Sequence, residues 1–97
     1  MSREHVVSVL QAHLHEIQKK FCVKQLALFG SAARDEMRCD SDVDILVTFD
    51  GTPTFDRYMD LKAYLERLPG TGVDLVTESA LKPRMRPLIE KDLVRVA

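Results

Sequence analysis

Residues 28–49, LFGSAARDEMRCDSDVDILVTF, decide the reading of this chain. A short apolar strand runs into Gly30-Ser31, and ten residues later Asp42 and Asp44 stand two apart at the head of a second apolar strand. Side chains two apart on a strand project from the same face. Asp42 and Asp44 therefore point together, while Val43, Ile45 and Val47 take the opposite face. Carboxylates so close repel, and each raises the pKa of the other unless a cation lies between them. A strand built only to fold would carry something neutral at those positions.

Outward from this stretch the chain alternates helix and strand. Val6, Leu10, Leu14, Ile17 and Phe21 recur at helical spacing and predict one N-terminal helix. Ser2 is its candidate N-cap, with Glu4 in the first turn and Lys19-Lys20 in the last, all favourable to the helix dipole. The first strand is LALF, 26–29, and a short helix follows over 31–37. RCDS, 38–41, is a polar loop, DVDILVTF, 42–49, the second strand, and DGTP, 50–53, a turn. Phe55, Met59, Leu61, Leu65 and Leu68 predict a helix over 54–68. PGTG, 69–72, breaks it, and VDLVT, 73–77, is the third strand. Pro83 and Pro87 cannot share one unbroken helix, so a first turn at Pro83 and a short helix over 87–92 are expected. LVRV, 93–96, is either an edge strand or tail. The order is helix-strand-helix-strand-helix-strand, an α/β (α+β) arrangement in one domain spanning 1–97.

Charge narrows the function. A protein that coats nucleic acid needs an excess of Lys and Arg to neutralise phosphates, whereas this chain has a net charge of −1. Lys82, Arg84 and Arg86 do cluster, and the plain reading of that cluster is a solvated face. His5, His13 and His15 do not converge on one metal at their spacing, and a surface role suits them. Cys22 and Cys39 lack any CxxC or His partner and read as free thiols in a reducing cytoplasm. The N-terminus is charged throughout, unlike a signal peptide, and no apolar run approaches the roughly 20 residues of a membrane helix.

The chemistry-bearing residues gather at strand ends. Hard oxygen donors such as Asp42 and Asp44 suit Mg²⁺, which takes one or two carboxylates and completes its shell with substrate phosphates. Asp74 lies near the start of the third strand and joins the pair if strands two and three are neighbours. Three aspartates can hold two ions about 4 Å apart for an in-line displacement at phosphorus. Gly30 lets a phosphate approach the backbone, Ser31 adds a hydroxyl donor at a helix start, and Arg34 lies one turn later. Singly, each feature has an ordinary explanation: a turn and cap, a strand-entry turn, a surface charge. Folding alone gives no reason for all of them to meet.

Gly30-Ser31, ten intervening residues and Asp42-Val43-Asp44 resemble the GS-x10-DxD signature of the DNA polymerase beta superfamily of nucleotidyltransferases. FGSAAR, SDVDILV and the ending VDLVTESALKPRMRPLI are similar to the minimal nucleotidyltransferases in particular, over roughly residues 26–89. The resemblance implies a single small nucleotidyltransferase domain with a mixed sheet. It implies that Asp42 and Asp44 bind catalytic Mg²⁺, that Asp74 assists metal binding or deprotonates the acceptor, and that Gly30 and Ser31 hold the ATP triphosphate. The family often has Gly where this chain has Asp35, which places a negative charge near the phosphate site.

Proteins of this minimal kind are commonly antitoxins paired with a small helical HEPN-type toxin. The resemblance thus implies transfer of AMP from ATP to a hydroxyl of that toxin, a tyrosine for preference, and leaves open an oligomer formed with it. Positioning and charge neutralisation are all that chemistry asks of the scaffold. Two other readings compete: an idle antitoxin that neutralises by masking, and transfer to a small-molecule hydroxyl. The last usually needs an added helical domain, for which 97 residues leave no room.

Overall fold

The apolar spacing at the N-terminus builds two helices where one was expected. The computed structural model, which describes residues 2–36, 42–68, 70 and 72–96, has α1 over Arg3–Ala12 and α2 over Leu14–Phe21. The break is at His13, whose backbone N–H turns to the Leu10 carbonyl at 3.2 Å while its ring Nδ1 takes the Val9 carbonyl at 2.9 Å. The ring thereby replaces the helical bond that the His13 N–H would have made. The apolar face survives, since Val6, Leu10, Ile17 and Phe21 are all buried. Ser2 caps α1 as expected, accepting from the His5 N–H at 3.1 Å.

Cys22, in the left-handed region at φ 55°, ends α2 and turns the chain straight into β1, Val23–Leu28. The strand starts three residues before the apolar run 26–29 because Val23 already pairs with Phe49. Gly30–Ala33 form α3, shorter than the expected helix, and β2 covers Val43–Phe49. Met37, the loop 38–41 with Cys39, and Pro69 and Thr71 of the breaker lie outside the described residues. Thr54 caps α4, Phe55–Arg67, through the Arg57 N–H at 3.1 Å. Then come β3, Val73–Thr77, a 3₁₀ turn at Glu78–Ala80, α5 over Arg86–Glu90 and β4 at Val94–Arg95. Pro87 sits in the first turn of α5, where its missing N–H is harmless. Within the 93–96 segment, Val94–Arg95 form the edge strand.

The sheet is mixed, in the order β3-β2-β1-β4. β2 pairs antiparallel with β1 and parallel with β3, and α4 makes the crossover that a parallel pair requires. Val43, Ile45 and Val47 are fully buried on one face, packed with Leu26, Leu28, Leu61 and Leu65 and the apolar face of α1 and α2. Two residues of the expected α4 stripe are not core. Phe55 is 75% exposed and Met59 42% exposed, whereas Leu61 and Leu65 are fully buried. The buried pair four apart, with Tyr58 donating its hydroxyl to the Leu75 carbonyl, fixes how α4 lies on the sheet. No helix among the described residues is long and apolar enough to cross a membrane.

Candidate active site

The parallel register decides what the three aspartates can do. Val43 pairs with Val73 and Asp44 with Asp74, so the two carboxylates leave neighbouring strands side by side. Strands so paired lie about 4.8 Å apart. Asp42 precedes β2 by one residue and is exposed, Asp44 is half-buried, and Asp74 is exposed. Burial pushes the Asp44 carboxyl above its ordinary range, and the charges of Asp74 and then Asp42 push it further. The Ser31 backbone N–H and the more distant Arg34 oppose that rise. Asp44 is where the strain of gathering like charges is felt.

Gly30 is the second half of the site, and its role is tied to Asp44. It sits at φ +60°, and a Cβ built there would fall 2.5 Å from Asp44 Oδ2. The carboxylate occupies the space a side chain would take, and the next N–H, that of Ser31, donates to it. Phe29, just before, continues the β1–β2 ladder by donating to the Asp44 carbonyl at 3.1 Å. The glycine at the end of β1 is therefore needed to seat Asp44, before any phosphate is considered. Gly72 does the same for Asp42: a Cβ there would collide with Asp42 Oδ1, and its carbonyl accepts from the Val43 N–H at 3.0 Å. Sequence reasoning took Gly72 only as part of a breaker. The signal was present, because a glycine immediately before the strand that carries the third Asp is where another carboxylate would crowd the backbone.

Arg34 follows α3 and is exposed. Its guanidinium pairs with Glu36 at 3.1 Å and with Asp92, beyond α5, at 3.3 Å. Those two carboxylates raise its pKa further above an already high value. Asp35 takes the left-handed backbone at φ 59°, a conformation that Asp tolerates better than most residues. Its carboxylate accepts from the Arg3 N–H at 2.7 Å, one of the unpaired donors at the start of α1, and the Arg3 side chain reaches the Ala33 carbonyl at 3.0 Å. The negative charge of Asp35 is thus spent on a helix start.

Among the described residues no three carboxylate, imidazole or thiol groups already stand close enough together to hold a metal ion. The donor set nevertheless fits Mg²⁺: three hard carboxylates at adjacent strand starts, the central one held above its ordinary pKa by burial and then by its neighbours, and a glycine backbone in contact with it. The outer two, Asp42 and Asp74, are exposed.

The chain is similar to known proteins over nearly its whole length. The family model for the nucleotidyltransferase domain matches residues 10–96. The protein adenylyltransferase MntA of Thermococcus cleftensis is 40% identical over 96 residues, covering 99% of this chain and 97% of that one. A solved structure described as a minimal nucleotidyltransferase superposes with a TM-score of 0.82 at 33% identity, over 97% of this chain and 95% of its own. The fold also matches a chain in the solved complex of a tri-AMPylated Shewanella oneidensis HEPN toxin with MNT antitoxin. There the TM-score is 0.68 at 16% identity, over 94% of this chain and 71% of that one.

Proposed function

This chain belongs to the nucleotidyltransferase domain family, in the minimal form found within the DNA polymerase beta superfamily, and from that premise we propose that it is a protein adenylyltransferase. Residues 1–97 act as one catalytic domain that moves AMP from ATP to a hydroxyl, tyrosine for preference, on a HEPN-type toxin. The observation that carries the reading is the register setting Asp44 beside Asp74, with Gly30 against Asp44. The names of the relatives support the rest: a protein adenylyltransferase that spans this whole chain, and a toxin carrying AMP groups on an antitoxin of the same fold.

The reaction joins the acceptor oxygen to the α-phosphorus and breaks the bond from that phosphorus to the bridging oxygen of the β-phosphate. Pyrophosphate leaves with the electron pair. Asp74, exposed at the start of β3, takes the hydroxyl proton. Asp42, Asp44 and Asp74 would hold Mg²⁺, whose chemistry when bound is to neutralise charge on the phosphate oxygens. Gly30 and Ser31 line the triphosphate, and Arg34 supplies a cation beside it. With a net charge of −1, this chain has no general means of gripping nucleic acid, so a docked protein brings the acceptor.

The test uses ATP labelled in turn at the α- and γ-phosphates, with Mg²⁺ and a HEPN-type toxin as acceptor. Only α-label should arrive on the partner, and arrival of γ-label instead would make the protein a kinase. Asp74→Asn should lower single-turnover transfer by about 10²-fold, the usual worth of a positioned base, with ATP affinity changed far less. A loss of affinity matching the loss of rate would reassign Asp74 to metal binding alone.

A further inference from the structure

We propose that Asp92 is a positioning residue for nucleotide binding, holding the Arg34 guanidinium so that its free edge faces the phosphates. The inference rests on the adenylyl-transfer reading above and adds to it a residue from the far end of the chain. Asp92 follows α5, and two residues later β4 pairs with β1 through Leu28–Val94 and Ala27–Arg95. That pairing brings the C-terminal segment to the end of β1, where Gly30 and Ser31 follow. Nη1 of Arg34 donates to Asp92 Oδ2 at 3.3 Å, and Nε donates to Glu36 Oε2 at 3.1 Å.

A guanidinium has five N–H donors in a rigid planar fork. Two are taken here, on Nε and Nη1, by carboxylates from two different parts of the chain. Among the described residues both donors on Nη2 remain without a partner. Either carboxylate alone would leave the fork free to swing, whereas the two together fix its plane. The backbone N–H of Arg34 donates to the Gly30 carbonyl at 3.2 Å, so the guanidinium is held one turn from the glycine that lies against Asp44. As surface ion pairs these contacts are worth little to stability. Their consequence lies in sparing a long side chain the ordering that phosphate binding would otherwise demand.

A contrary effect is built into the same geometry and makes the sign of the result informative. Two carboxylates around one guanidinium leave the clamp net negative, so the clamp could instead withhold Arg34 from the phosphates. If it positions, removing Asp92 weakens binding; if it withholds, removing Asp92 strengthens it.

The experiment is calorimetric titration of the full chain with Mg·ATP, without acceptor, alongside transfer kinetics at varied ATP. Asp92→Ala should weaken binding about three- to tenfold, the worth of one ordered long side chain. KM for ATP should rise in step, and kcat at saturating ATP should hold. Asp92→Asn keeps an acceptor oxygen and should restore binding to within about twofold of wild type. In an Arg34→Ala background the Asp92→Ala change should add nothing. Binding by Asp92→Ala as tight as wild type or tighter overturns the proposal, as does an equal loss in the Arg34→Ala background. A fall in kcat at unchanged KM also overturns it, since that marks a purely structural role. Wild-type protein that fails to bind Mg·ATP overturns the adenylyl-transfer reading and this one together. Wild-type binding with an unaffected Asp92→Ala overturns this one alone.

Discussion

Gly30 and Asp44 constrain one another, and each yields a prediction at the scale of a single residue. Gly30→Ala places a Cβ 2.5 Å from Asp44 Oδ2 on a backbone already at φ +60°. Left-handed strain costs about 1–2 kcal/mol for a residue with a Cβ, and relief of the clash must move the Asp44 carboxylate. The variant should melt several degrees lower and lose transfer at least tenfold, read by thermal denaturation and the α-label assay. Asp44→Asn should do the opposite to stability while abolishing transfer. The Asp44 carboxyl binds its proton more tightly folded than unfolded, because burial and then Asp74 and Asp42 raise its pKa. Its contribution to stability is therefore fully present below the unfolded pKa, near 3.9, and is lost as pH rises through the folded value. Without metal, Asp44→Asn should raise the melting temperature at pH 7 by about 2–4 °C, as half a kcal/mol does in a domain this size once solvent screening is discounted. The gain should fade towards pH 4. Melts across pH with chelator present would measure it, and a large loss at pH 7 would show that the charge serves folding.

Among the elements, α4 separates residues that pack from residues that merely share a helical spacing. Leu61→Ala or Leu65→Ala removes a fully buried side chain from the contact with the sheet and should cost about 2–5 kcal/mol, measured by urea unfolding. Phe55→Ser, at a side chain 75% exposed, should change stability by less than about 0.5 kcal/mol. The sequence could not make that distinction, because Phe55, Met59, Leu61, Leu65 and Leu68 extend the apolar spacing past the stripe that faces the sheet. β2 and β3 were legible to within a residue, since each is a mainly apolar run, broken near its start by one Asp, between polar punctuation. β1 was legible only in its second half. Lys24 and Gln25 look like loop, yet β4 pairs only at Ala27 and Leu28, which leaves that part of β1 open to water on one side. The break at His13 was hidden because it depends on a ring nitrogen reaching its own helix.

Across the whole molecule, the site depends on contacts that no local pattern announces. The spacing of Gly30-Ser31 and the Asp pair could be read directly. The place of Asp74 turned on whether β2 and β3 are neighbours, which the parallel register answers. Gly72 was legible only as a glycine just before the strand of Asp74, and Asp92 gave no hint, because its place needs the return of β4 to β1. The same scale separates a catalyst from a mask. Docking a protein acceptor uses surface, whereas the proposed transfer uses the three carboxylates at strand starts, so binding and chemistry should come apart. In cells expressing the partner toxin, Asp44→Asn should still co-purify with it and yet fail to rescue growth at equal or lower amounts. A mask protects by mass action and needs at least one copy per toxin, whereas a catalyst acts many times. Wild type should therefore protect when outnumbered, and the toxin should gain the mass of one or more AMP units. Growth is read against the ratio of the two proteins, with intact toxin mass measured on the same cultures. If Asp44→Asn protects as well as wild type at every ratio while toxin mass never changes, neutralisation is by binding and the proposed catalysis is wrong.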